Sequence, residues 1–147
     1  AGAAFAGRAG ASGPGEMVTS VLEGVAFSAR LALEAVERSG GCVAPMLRHG
    51  GGGARSDAWC RIRANALGRP LARVAVTEAG SMGALAMGGV ASGDFRDLDA
   101  ATRDLVPVER VFEPDPAHAE IADARFALFG DLYAATAPIS ASLIDGH

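Results

Sequence analysis

Val43-Ala44-Pro45-Met46-Leu47-Arg48-His49-Gly50-Gly51-Gly52-Gly53-Ala54-Arg55-Ser56-Asp57-Ala58-Trp59 reads as strand, glycine turn and helix start in immediate succession. The apolar run Val43 to Leu47 predicts a strand, and Asp57 to Leu67 predicts a helix with Ser56 as its N-cap. Four glycines between them let backbone N–H groups approach an anion with no Cβ in the way. The first helical turn adds unpaired donors and the positive end of the helix dipole. Glycine marks ordinary turns everywhere, so the run alone is not specific for phosphate.

Upstream, Pro14 to Ser39 predicts a long helix, with Pro14 in its first turn and Gly40-Gly41 at its end. Val18, Val21, Leu22, Val25, Ala29, Ala32, Leu33 and Val36 form its apolar face, and Phe27 and Leu31 widen it on a flank. Glu16, Glu23, Arg30, Glu34 and Glu37 form a narrow polar stripe, expected to hold solvated or lobe-facing ion pairs. A helix this apolar is expected to be covered on more than one side, by a sheet and by another lobe.

Downstream, Leu71 to Val76 predicts a second strand. A helix of small residues, Ala79 to Ala91, follows it, with Gly80, Gly83 and Ala84 inside. Each helical glycine costs about 1 kcal/mol relative to alanine, so a close neighbour is expected there. A short helix near Asp97 to Asp104, an extended piece Val106 to Phe112 and a last helix opening at Asp115-Pro116 complete the order. That helix carries Ile121, Phe126, Phe129, Leu132 and Tyr133, and Pro138 is expected to end or kink it. The alternation implies α/β architecture with parallel strands.

Composition narrows the function classes. The 147 residues suit one domain or one lobe of something larger; half are apolar and 5% aromatic, so the core is built from Ala, Val and Leu. A net charge of −4 with no basic cluster argues against a nucleic-acid partner. No apolar run reaches the roughly 18–20 residues of a membrane span, and no secretion signal opens the chain. A cytoplasmic location is the expectation. Cys42 and Cys60 lack metal-ligand spacing even with His49 nearby, so buried free thiols and no metal site are expected. The opening AGAAFAGRAGASG reads as a loop-rich connection, as if the chain starts inside a longer protein.

The missing Lys-Ser/Thr pair after the glycines excludes a P-loop. Gly51-x-Gly53-x-x-Ser56, with Glu78 just after the next strand, nearly matches a dinucleotide fingerprint. A Rossmann-type oxidoreductase domain is therefore an alternative, weakened by Ser at the third small position and by the long helix before the first strand.

Four blocks in order resemble the C-terminal half of FGGY carbohydrate kinases: VLEGVAFSARLALEAVERSG (21–40), GGGARSDAWCRIRANALGRPL (51–71), EAGSMGALAMGG (78–89) and FEPDPAHAEIADARFALFGDLY (112–133). The resemblance runs from about Ala4 to Leu143, and residues 1–147 would form one C-terminal domain with the sugar-binding N-terminal lobe absent. It implies a ribonuclease H-like, actin-like ATPase lobe, with a small central sheet flanked by helices, that binds ATP with Mg²⁺. Carried over, Gly52, Gly53, Ala54 and Asp57 would face the nucleotide, with Arg55 and Gly83 as secondary contacts and the helix around Gly83 and Ala84 beneath the cleft. The partner would be a sugar or polyol held mainly by the missing lobe, and a homodimer is compatible with the family. The parent would transfer the γ-phosphoryl group of ATP to a hydroxyl, and this fragment alone would be inactive. No catalytic residue is assigned to it: Glu78, Asp94 and Asp97 match no base motif. A non-catalytic, actin-like regulatory module is the further alternative. Asn65 stands where these kinases often have Asp, and Gly50 where many have Thr or Ser.

Other candidates have plainer readings. Trp59 is expected in the core with Ile62 and Ala66, His49 on a backbone group, and His118 and His147 at the surface.

Overall fold

The computed structural model describes residues 13–145, in the order α1 (Pro14–Gly40), β1 (Leu47–His49), a 3₁₀ turn (Gly52–Arg55), α2 (Asp57–Leu67), β2 (Leu71–Val74), α3 (Ala79–Ser92), α4 (Leu98–Leu105), β3 (Val108–Phe112) and α5 (Pro116–Asp145). The opening segment read as a connection, and His147, lie outside the described residues. Among those residues no helix is long and apolar enough to cross a membrane.

The three strands form one sheet in the order β1-β2-β3. β1 and β2 are parallel, with Leu47 opposite Leu71 and His49 opposite Arg73. β3 corrects the all-parallel expectation. It runs antiparallel to β2, Leu71 facing Phe112, with a register shift at Arg73/Val74. The connection explains the difference: β1 reaches β2 through the glycine turn and α2, whereas β3 returns from the α3–α4 pair in the opposite direction.

α2 is the central element because it is apolar on two sides. Cys60, Ala64 and Leu67 lie on one face at helical spacing and form a core with Leu71 and Phe112 of the sheet, backed by Leu33 and Leu47. Trp59, Ile62 and Ala66 face α1 and α5, where Ala26, Phe27, Phe126 and Phe129 close a second cluster. The Phe27 ring lies 5.8 Å from Phe126 and 5.7 Å from Phe129, within aromatic contact range. Trp59 is therefore a packing residue, as its spacing implies. The helix starts where Ser56 Oγ accepts the Trp59 N–H at 3.2 Å. It stops at Gly68, whose φ of 63° gives a left-handed cap with its N–H on the Ala64 and Asn65 carbonyls.

Three further expectations are corrected. The first strand, Leu47–His49, starts four residues later than the apolar run 43–47 and shares only Leu47 with it. Pro45 has no N–H for a ladder, the Ala44 N–H donates to Glu37 Oε1 at 3.0 Å, and the Ala44 carbonyl accepts from Arg69 at 3.1 Å. Side chains thus claim the backbone of this run, and pairing starts only where the Leu47 N–H meets the Pro70 carbonyl at 3.0 Å. Second, Pro138 does not end α5, which continues through it to Asp145.

Third, α1 is turned relative to the expected apolar face. Val18, Val21, Val25 and Val36 are exposed, and the buried residues are Ala26 and Phe27. Much of the polar stripe faces the lobe instead. Glu23 pairs with Arg125 at 2.8 Å, Arg30 with Asp123 at 2.7 Å, and Glu37 with both terminal nitrogens of Arg69. Arg30 also donates to the Ala66 carbonyl at 3.2 Å and sits 4.2 Å over the Phe126 ring. Periodicity found a helix with an apolar and a polar side; Ala26 and Phe27 pack against α2 and α5, and these ion pairs border that contact.

Candidate functional site

The four glycines leave β1 and fold directly into the 3₁₀ turn. Gly51 makes the bend: its φ of 86° and ψ of −177° belong to a region essentially reserved for glycine. The Ala54 N–H then bonds to the Gly51 carbonyl at 3.1 Å and the Ser56 N–H to the Gly53 carbonyl at 3.2 Å. The N–H groups of Gly52 and Gly53 donate to no group among the described residues. Both glycines are exposed, and a Cβ on Gly52 would meet nothing within 4 Å. Two unpaired backbone donors thus stand together at the surface, one turn before the start of α2. Such a pair is an anion-binding arrangement.

Beneath the turn lies a cleft of about 250 Å³, bounded by Gly51, Ala54 and Arg55 on one side and by Arg73, the 74–77 segment and Glu109 on the other. It opens at the carboxyl end of β2, where open α/β sheets take their ligands. Arg55 is exposed at its rim. Ala54 is buried, and its carbonyl accepts the Cys60 thiol at 3.3 Å, which ties the turn to the core.

Asp57, in the first turn of α2, is held by two arginines. One carboxylate oxygen accepts from Arg73 at 2.7 Å and the other from Arg110 at 2.6 Å. The Arg73 hydrogen bond, and then the Arg110 charge, keep its carboxyl below the usual aspartate range. Asp57 therefore remains charged, and both its oxygens already have partners in this lobe.

Gly83 lies apart, in α3. It is exposed, and neither it nor Gly80 has an atom within 4 Å of a built Cβ. The close neighbour expected inside that helix is found instead at Gly89, where a Cβ would stand 2.5 Å from the Phe95 ring. The helix's small residues serve the turn into α4 there.

Several remaining residues differ from their plain readings. His49 is buried, but its Nδ1 lies 3.1 Å from Arg63 rather than on a backbone group. Cys60 is buried as expected, whereas Cys42 is exposed. His118 is at the surface and contacts Asp115 at 2.8 Å. Asn65 accepts the Asp115 N–H at 2.8 Å through Oδ1, so at this position an uncharged acceptor joins α2 to the start of α5.

Sequence reading overlooked Arg73 and Glu109. The available signal was a lone arginine inside the otherwise apolar strand Leu71-Ala72-Arg73-Val74, an expensive place for a charge without fixed partners. Glu109, in the exposed β3, gave no comparable sign.

Residues 1–92 match the family model for the C-terminal domain of the FGGY family of carbohydrate kinases. The chain is 37% identical over 116 residues to a glycerol kinase of Dechloromonas aromatica, covering 79% of this chain and 22% of that protein. The xylulose kinase structure from Rhodospirillum rubrum superposes with a TM-score of 0.79 at 31% identity, covering 92% of this chain and 28% of that one. The Plasmodium falciparum glycerol kinase crystallised with ADP shares the fold, with a TM-score of 0.68 at 18% identity over 85% of this chain and 25% of that one. The chain thus spans between a fifth and a third of the length of these relatives. Its α/β architecture is the ribonuclease H-like, actin-like ATPase lobe that the resemblance implies. The chain belongs to the FGGY family of carbohydrate kinases, as part of their C-terminal domain.

Proposed function

We propose that this chain is the ATP-binding lobe of a carbohydrate kinase, one that transfers the γ-phosphoryl group of ATP to a hydroxyl of a sugar or polyol. One observation supports this most directly: the unpaired N–H groups of Gly52 and Gly53 stand beside a cleft at the carboxyl end of β2. Donors so fixed suit a phosphate, and they need no reorganisation when it arrives. Gly52, Gly53 and Ala54 are the proposed nucleotide-facing residues, with Arg55 free to reach a phosphate from the rim. Asp57 is proposed to act at one remove, through the arginines it holds.

The cleft's size bears on the division of labour. At about 250 Å³ it is smaller than the roughly 300–1,000 Å³ of small-molecule sites. It suits part of a nucleotide, with the remaining contacts, the sugar or polyol pocket and the proton-accepting group supplied by the rest of the protein. Mg²⁺ is proposed to accompany ATP and to neutralise charge on the phosphates. Its contacts are proposed to come from the phosphates and the other lobe; among the described residues no group of three His, Cys, Asp or Glu is placed to hold a metal ion. A cytoplasmic location and action on a soluble hydroxyl compound belong to the same proposal, and this lobe by itself is expected to be inactive.

Equilibrium binding to the intact protein tests the reading. Mg-ATP is expected to bind and NAD is not. Binding of NAD without binding of ATP would overturn it in favour of a dinucleotide enzyme.

A further inference from the structure

Given the nucleotide reading of the glycine turn, we propose that Arg73 is a positioning residue for that site, holding the phosphate-facing turn in place from the strand below it. A run of glycines cannot hold itself against its surroundings, because it has no side chains with which to do so. Arg73 reaches it from β2. One terminal nitrogen donates to Asp57 Oδ1 at 2.7 Å and lies 3.4 Å from the Ala54 carbonyl; the other donates to Glu109 Oε1 at 3.2 Å. The guanidinium also sits 5.4 Å over the Phe112 ring. A single side chain therefore ties the turn, the first turn of α2 and β3 to β2, and it does so along the wall of the cleft.

The cost of placing an arginine here favours this role over a purely structural one. Its side chain is only 13% exposed, and its Nε has no partner among the described residues. A buried guanidinium with an orphaned N–H contributes less to folding than an apolar side chain of similar volume would. Its planar fork can address Asp57, Ala54 and Glu109 from one position, whereas the point charge of a lysine cannot. Arg110 on the second Asp57 oxygen fixes the carboxylate that Arg73 holds, so the anchor is itself anchored.

The effect should fall on phosphate and not on the nucleoside. In the intact protein, Arg73→Gln is expected to weaken Mg-AMP-PNP binding about tenfold while adenosine affinity stays within about twofold, both read by calorimetry. Arg73→Lys should recover little of the loss. Glu109→Gln removes one arm of the network at an exposed position. It should weaken Mg-AMP-PNP by about two- to threefold even if Arg73→Gln fails to fold. Equal losses for AMP-PNP and adenosine, or no loss in either folded variant, would overturn the proposal. Gly53→Val separates this outcome from failure of the site itself. If that variant weakens AMP-PNP and Arg73→Gln does not, the positioning role falls and the site stands. If neither does, the nucleotide site falls as well.

Discussion

A Cβ built on Gly53 would stand 3.2 Å from the indole Nε1 of Trp59 and 3.3 Å from its Cδ1. The turn that carries the two unpaired N–H groups is thus backed by a ring packed in the second cluster with Ile62 and Phe126. A β-branched side chain at Gly53 must either push the indole or lift the turn. Gly53→Val is expected to lower nucleotide affinity at least about tenfold and to cost about 1–3 kcal/mol of stability. Titration with Mg-AMP-PNP alongside urea unfolding measures both. Crowding by the indole is the physical reason and backbone strain is not, because Gly53 does not have a positive φ. Unchanged nucleotide affinity in the folded variant would remove Gly53 from the site.

The neighbouring glycines separate backbone strain from ligand contact. Gly51 has open space around it but a φ of 86°, so Gly51→Ala pays only for conformation, about 1–3 kcal/mol. Gly52 has open space and no positive φ. Gly52→Ala should leave stability within about 0.5 kcal/mol and still weaken nucleotide binding, because its methyl group stands beside the free donors. Unfolding midpoints for the pair are expected to diverge. If Gly52→Ala instead loses stability and keeps its affinity, the two roles have been exchanged.

The bounds of α2 were legible because each end has a local chemical cause: a serine cap at one end, a glycine and a proline at the other. The glycine turn was legible as a turn between strand and helix for the same kind of reason. What sequence could not show was partner choice across the fold. The valines of α1 form a regular apolar face, yet in this span α2 and α5 meet its other side, at Ala26 and Phe27, with Arg125, Asp123 and Arg69 pairing around that contact. The run at Val43 looked like a strand because its side chains are apolar. It is not one, because Glu37 and Arg69 take its backbone groups. Asp57 reads as a candidate site residue from the sequence, but its two arginine partners lie 16 and 53 positions away, on β2 and β3.

Arg30 tests whether the polar side of α1 stabilises the lobe. Its side chain is 19% exposed and holds Asp123, Glu34 and the Ala66 carbonyl together while covering Phe126. Arg30→Met keeps much of the apolar contact but removes every hydrogen bond. The Asp123 end is 64% exposed and screened, so most of the cost comes from the Ala66 carbonyl and the packing. A loss of about 1–2 kcal/mol is expected in urea unfolding. Arg30→Lys should lie closer to Met than to the wild type, since one ammonium cannot span three acceptors. A fully wild-type Lys variant would mean that charge alone matters here.

His49 gives the lobe a pH dependence of defined sign. The ring is 8% exposed, and its Nδ1 lies 3.1 Å from a guanidinium nitrogen of Arg63, which can only donate. Nδ1 therefore accepts, and the neutral ring carries its proton on Nε2, which has no partner among the described residues. Burial first, and the Arg63 charge second, hold the imidazole below its ordinary pKa. Arg73, opposite on β2, is a further positive neighbour in the sheet. Below about pH 6.5 the unfolded chain takes up a proton that the folded ring resists. The stabilisation is fully present above that pH and declines as pH falls. Carboxylates such as Asp57 and Glu37, whose pKa values are lowered, keep their contribution to a more acidic range. Urea midpoints followed from about pH 7.5 to about pH 5.5, across the histidine range, should therefore fall more steeply in the wild type than in His49→Gln. Parallel slopes would show that the buried ring accepts its proton without cost.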